Sequence, residues 1–208
     1  MKATVIVPAY NEERRIKGVL EPICNTSLVR EVIVVNDGST DKTAEVARQY
    51  NVSLVEMPKN MGKAEAIKQG LRQNTSGIIL LLDADLIGLK SSHIADLILP
   101  LQKDDIDMTI GIFESGRWIT DLAQKIAPNL SGQRGFKREL IGEIERLDMD
   151  RYNIEVAMSR LIKNKKLMTK KVLLKEMSHV TKEEKLGLCG GLHWRVKMYK
   201  DIIRYWIH

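Results

Sequence analysis

The chain has 208 residues, 44% hydrophobic and 29% charged, with a net charge of +6. A chain of that length buries a core without staples, and two cysteines far apart in sequence, Cys24 and Cys189, argue against a disulfide framework or a clustered thiolate metal site. The modest positive charge permits an anionic partner (nucleotide, phosphate, acidic lipid) without requiring one, and no nucleic-acid partner is expected.

Met1 leads straight into a strand pattern, without a charged and apolar leader, and no apolar run reaches membrane-spanning length. A cytoplasmic protein is therefore expected, and a single domain over 1–208. Ala3 to Pro8 is a β-branched run closed by proline, hence strand 1. A polar loop, Ala9-Tyr10-Asn11-Glu12-Glu13, opens a helix with Ile16, Val19, Leu20 and Ile23 on one face. Val32 to Val35 is strand 2. The turn-rich Asn36-Asp37-Gly38-Ser39-Thr40-Asp41 then feeds a helix bearing Ala44, Val46 and Ala47. Val52 to Val55 is a short strand 3. Asn60-Met61-Gly62-Lys63 precedes a helix expected to turn Ala64, Ile67 and Leu71 inward. The apolar run Ile78 to Leu82 is a buried fourth strand ending in Asp83-Ala84-Asp85.

Strands alternating with helices imply a parallel sheet with right-handed crossovers. Beyond Leu86 the pattern loosens. A helix is expected over Ile94 to Leu101, a strand over Met108 to Phe113 and a helix over Trp118 to Ile126. Ser131 to Phe136 reads as a loop, Ile154 to Ile162 as a helix and Val172 to Leu174 as a last strand. A basic stretch with Lys163, Lys165, Lys166, Lys170 and Lys171 follows. The final segment sets Leu192, Val196, Tyr199, Ile203 and Trp206 on one helical face. Such a face can pack on its own domain, on a second subunit in a homodimer, or on the inner face of an anionic membrane.

Ligands in open α/β sheets bind just past the carboxyl ends of the strands. Parallel strands deliver those ends to one edge, so the loops at Pro8–Glu12, Asp37–Ser39 and Asp83–Asp85 converge. Two acids spaced i, i+2 cannot be core residues without a cation, and a divalent metal carrying a diphosphate is the simplest candidate. A solvated acidic turn is the bland alternative. Asp37 can accept from a base N–H and Glu12 from ribose hydroxyls. Gly62-Lys63 at a helix start offers an ammonium to a base or phosphate.

Val5-Ile6-Val7-Pro8-Ala9-Tyr10-Asn11-Glu12, Val35-Asn36-Asp37-Gly38-Ser39-Thr40-Asp41, Asn60-Met61-Gly62-Lys63 and Leu82-Asp83-Ala84-Asp85 resemble, in order and spacing, the successive signatures of family 2-type glycosyltransferases. The resemblance implies an α/β GT-A (Rossmann-like) fold with a mostly parallel central sheet flanked by helices. It also implies a nucleotide-sugar-binding half over 1–90 and a looser acceptor-side half over 91–208. Pro8, Ala9, Tyr10 and Glu12 would line the nucleotide pocket, Asp37 would contact the base with Lys63 close by, and Asp83 beside Ala84 would meet the ribose. Asp85 of this DXD-type motif would hold the metal, Mg²⁺ or Mn²⁺. Ser131-Gly132-Gln133-Arg134 resembles the acceptor-side loop. Glu155 stands where many inverting relatives carry an acidic pair, and as a lone acid it looks more like the retaining branch typified by glucosyl-3-phosphoglycerate synthase. On that likeness Glu155 is the catalytic base or the group steadying the sugar, and His179 a further metal ligand.

The resemblance implies a metal-dependent transferase moving a hexose from a nucleoside-diphosphate sugar, UDP-glucose preferred, to a hydroxyl or phosphate acceptor. A polyprenyl-phosphate mannosyl- or glucosyltransferase at the membrane surface is the alternative within enzymes. A nucleotide-sugar-binding module without catalysis is the alternative outside them. A nucleotidyltransferase fits less well, because Pro8-Ala9-Tyr10-Asn11 stands where a Gly-rich basic loop would be.

Overall fold

The computed structural model describes residues 1–113, 131–147 and 154–179. The first part runs β1 (Ala3–Ala9), α1 (Ile16–Cys24), β2 (Val29–Asn36), α2 (Thr43–Ala47), β3 (Ser53–Glu56), α3 (Lys63–Gln73) and β4 (Ile78–Leu81). There follow β5 (Leu86–Ile87), α4 (Ser91–Ile98), a 3-10 turn over Leu99–Gln102 and β6 (Met108–Phe113). Then come β7 (Arg134–Lys137), α5 (Ile141–Glu145), α6 (Ile154–Lys165), β8 (Thr169–Leu174) and β9 (Ser178–His179).

Among the described residues, seven strands form one sheet in the order β3-β2-β1-β4-β7-β6-β8, and within it β7 alone runs against its neighbours β4 and β6. The expected mostly parallel α/β sheet is therefore present. β4 sits at its centre with all four side chains buried. Because side chains alternate along a strand, β4 feeds both faces. Ile78 and Leu80 join Val5, Val7 and Val34 under α1 and α4. Ile79 and Leu81 join Ile6, Ile33 and Val35 under α3 and α6. Each apolar cluster draws on both halves of the chain, from Ala3 to Met177 in one and from Ile6 to Leu161 in the other.

Several elements differ from their sequence patterns. Ser131–Phe136 is not all loop: Arg134 to Lys137 form a strand inside the sheet. The segment is disguised by Gly135, whose missing side chain the sheet requires. A Cβ there would stand 2.5 Å from Thr109 Oγ1 and 2.7 Å from Leu101 Cδ1. β2 starts at Val29 rather than Val32, and α4 starts at Ser91 and tightens into a 3-10 turn at Leu99, beside Pro100. α3 buries Ala66, Ile67, Gly70 and Leu71, while Ala64 is only half-buried. The two-residue strands β5 and β9 are too short to leave a periodic signal. The helix expected over 118–126 and the apolar face over 192–206 lie outside the described residues. Among the described residues no helix is long and apolar enough to cross a membrane.

Candidate active site

The loops leaving β1 and β2 hold each other. Asn11, at a positive φ of 55°, donates its N–H to Ser39 Oγ at 3.0 Å and accepts at Oδ1 from Thr40 N–H at 2.9 Å. Glu12 N–H donates to Thr43 Oγ1 at 2.8 Å, and Glu13 N–H to Asp41 Oδ2 at 3.1 Å. Burial would push the Asp41 carboxyl up, but hydrogen bonds from the Thr43 hydroxyl and from the Glu13 and Thr43 amides hold it below the usual range. The Glu12 side chain is buried against Arg15, whose Nη1 donates to it at 3.0 Å. Pro8 and Ala9 close β1, with Ala9 buried, and Tyr10 stands 45% exposed beside them.

Asp37 ends up facing protein amides. Its two oxygens accept from Met61 N–H at 2.7 Å and Gly62 N–H at 2.8 Å. This fastens the loop ahead of α3 to the end of β2. The approach is close enough that a Cβ on Gly38, at φ +66°, would lie 2.3 Å from the Lys59 carbonyl carbon. The clamp sets where α3 begins, and its first residue is Lys63.

Lys63 is the meeting point of the two halves. Its ammonium lies 2.6 Å from Asp83 Oδ1 and 2.7 Å from Glu155 Oε1. Burial alone would push Lys63 down, but the Asp83 and Glu155 carboxylates outweigh it and hold the ammonium well above its ordinary value. The three side chains keep 35%, 25% and 20% of their exposure, so a ligand can still reach them. Ala84, next along, is buried.

The 131–134 segment grips this cluster from below. Asp83 N–H donates to Gln133 Oε1 at 3.2 Å, and Gln133 Nε2 donates back to Asp83 Oδ2 at 3.0 Å. Gly132 lies so near that a Cβ would be 2.6 Å from Asp83 Oδ2 and 2.9 Å from Lys63 Nζ. Ser131 Oγ accepts from Gln133 N–H at 3.1 Å. Arg134 turns into the core, 1% exposed, and its Nε donates to Ser131 O at 2.8 Å. Its Nη2 donates to Glu155 O and to Ser159 Oγ, both at 3.1 Å. The side chains of Gln133 and Arg134 thus hold acids, a role the sequence pattern did not reveal because the contacts span 50 and 21 residues.

Asp85 is half-buried at the turn into β5. β5 pairs antiparallel with β9, and the register sets His179 opposite Leu86, the residue after Asp85. Two residues read as metal-binding from sequence, Asp85 and His179, thereby come to neighbouring positions through a pairing across the chain. Among the described residues no group of three or more His, Cys, Asp or Glu side chains is gathered for a metal. Both Asp83 oxygens are engaged, Oδ1 by the Lys63 ammonium and Oδ2 by Gln133 Nε2.

Residues 4–162 match the family described as Glycosyl transferase family 2. The chain belongs to that family. Among curated relatives, the 4,4'-diaponeurosporenoate glycosyltransferase of Staphylococcus aureus is 40% identical over 100 residues, which are 46% of this chain and 27% of the relative. The chain thus spans about a quarter of the length of the curated relatives it matches. Among solved structures, glucosyl-3-phosphoglycerate synthase from Mycobacterium tuberculosis in complex with Mn²⁺, UDP and phosphoglyceric acid superposes with a TM-score of 0.69 at 24% identity, covering 86% of this chain and 70% of that one. A crystal structure described as a mycobacterial protein gives 0.71 at 23% identity, covering 86% and 67%. At these identities the structural likeness shows the GT-A fold.

Proposed function

We propose that this family 2 glycosyltransferase moves a hexose from a nucleoside-diphosphate sugar, UDP-glucose the favoured donor, to a hydroxyl or phosphate acceptor, with a divalent metal. The observation that carries the proposal is the ion cluster in which Lys63 joins Asp83, from the end of β4, to Glu155, from α6. It brings the first carboxylate of the DXD-type turn and a second-half acid to one point at the ligand edge of the sheet. The solved neighbours include complexes with Mn²⁺ and UDP-glucose, which supports the donor assignment.

In this reading Asp85 and His179 would hold Mg²⁺ or Mn²⁺, the carboxylate suiting a hard cation and the imidazole favouring Mn²⁺. When bound, the metal neutralises charge on the departing diphosphate. The chain's own groups do the rest. Pro8, Ala9, Tyr10 and Glu12 border the nucleotide, and Asp37 shapes its pocket by fixing the 60–62 loop. Asp83 turns to the ribose with Ala84 beneath it. Lys63 supplies a positive charge that a diphosphate can share. Glu155, already engaged by an ammonium, is better placed to steady a sugar hydroxyl than to remove a proton, which favours retention. The backbone of Ser131 and Gly132 faces the acceptor, and a small anionic molecule is the favoured acceptor, a choice supported by the neighbour's complex with phosphoglyceric acid. Apolar clusters that draw on both halves of the described residues, from Ala3 to Met177, support reading them as a single domain.

Thermal unfolding across a panel of nucleotide sugars, with and without Mn²⁺, tests this, since a ligand selective for the native state raises apparent stability. UDP-glucose with Mn²⁺ should raise the midpoint and be slowly hydrolysed. Asp85→Ala should remove the Mn²⁺ dependence and lower turnover by roughly 1,000-fold, the scale of several kcal/mol that a metal supplies. Donor binding with no turnover in the intact protein would instead indicate a binding module.

A further inference from the structure

We infer that Arg134 is a positioning residue that sets Glu155 against Lys63, rather than a group that meets the acceptor. This rests on the site reading above. Arg134 is among the largest fully buried side chains, on the strand beside β4. Burying a guanidinium is costly unless several oxygens receive it. Here the donors fan out to Ser131 O, Glu155 O and Ser159 Oγ, with Nη1 3.9 Å from the Met108 sulfur.

Those partners lie on three separate pieces of chain: the 131–134 segment, the first turns of α6, and β6. The Glu155 carbonyl also accepts from Ser159 Oγ at 2.7 Å, so two side chains converge on that single oxygen. Fixing this carbonyl fixes the Cα from which the Glu155 carboxylate reaches Lys63 at 2.7 Å. Its neighbour Gln133 fixes Asp83 in the same way, through two hydrogen bonds. Consecutive residues of one segment therefore hold the two acids that share one ammonium, and the spacing between those acids is inherited from the sheet. Displacement of a catalytic group by about 1 Å costs on the order of 100-fold in rate, so this placement is where a core arginine can control chemistry.

The test is Arg134→Lys, because one ammonium cannot span three acceptors held by a planar fork. Its crystal structure should show Lys63 Nζ and Glu155 Oε1 separated beyond hydrogen-bond reach. Mn²⁺-dependent release of UDP from UDP-glucose should lose about 30-fold in kcat with KM within about threefold. That loss should vanish when Arg134→Lys is added to Glu155→Gln, as it must if the arginine acts through the glutamate. A pair still in contact, an unchanged kcat, or a loss that persists in full in the Glu155→Gln background overturns the inference. Should Arg134→Lys fail to fold, Ser159→Ala decides by the same cycle: a smaller loss that disappears with Glu155→Gln supports it, and an additive one overturns it. If the wild type binds and cleaves no donor while the variant's pair is separated, the proposed reaction fails and the positioning role stands.

Discussion

The two halves of the molecule build the same site in opposite ways. In the first, loops leaving successive strands lock onto each other: Asn11 to Ser39 and Thr40, Glu12 to Thr43, Asp37 to Met61 and Gly62. Each lock joins neighbouring loops of adjacent parallel strands. In the second, Gln133, Arg134 and Glu155 are gathered on either side of one reversed strand and reach across to Asp83 and Lys63. The first half forms a hydrogen-bonded rim and supplies Lys63 and Asp83, and the second brings Glu155 to that pair. Rim and charges should therefore fail differently when damaged.

The largest contrast should come from Gly132→Ala. Its new Cβ would press on Asp83 Oδ2, a carboxylate pinned by Gln133, and on Lys63 Nζ. Turnover of UDP-glucose should drop about 100-fold, equivalent to ~2.7 kcal/mol, while the midpoint of thermal unfolding hardly moves. An equal loss of stability would erase the distinction between the halves.

Asp37→Asn probes the rim. One of the two amides it binds would face an NH₂ group instead of an oxygen, and an unmade bond of this kind costs roughly 1–3 kcal/mol. Denaturant unfolding should show that loss, and donor affinity should weaken with it, because the 60–62 loop also sets the start of α3. A variant with wild-type stability and poor affinity would mean that Asp37 serves the ligand more than the loop.

The smallest effect is the acid sensitivity of Asp41. Its folded-state carboxyl lies below its unfolded value, so its contribution to stability is present above about pH 4. It is lost as pH falls through the lower folded value. Unfolding curves of the wild type and Asp41→Asn should converge in that acid range and separate above it. Parallel curves throughout would remove Asp41 from the rim.

What could be read from sequence follows the same division. β1, β3 and β4 lie within a residue or so of their apolar runs, because β-branched stretches and turn residues mark them locally. The motif loops were legible for the same reason. β7 was not: its sequence Arg134-Gly135-Phe136-Lys137 carries a buried cation and a glycine, each demanded by a neighbour elsewhere in the chain. Nor could the pattern show that Arg134 points inward or that Gln133 clasps Asp83, since strand pairing with β4 decides both. His179 was visible only through family likeness, and the β5–β9 pairing gives its backbone a place beside the acidic turn.

The reversed direction of β7 has a consequence for which segments can border the ligand edge. In a purely parallel sheet, only segments departing from strands arrive at the ligand edge, while those entering strands lie at the far end. An inverted strand swaps these ends, so the stretch arriving at Arg134, opposite Leu81, lands among the departing loops. That gives the site a wall built from a segment other than the loops after β1, β2 and β3. Its described residues reach Asp83 through Gln133, yet none of them takes part in the hydrogen bonds that join the loops after β1, β2 and β3.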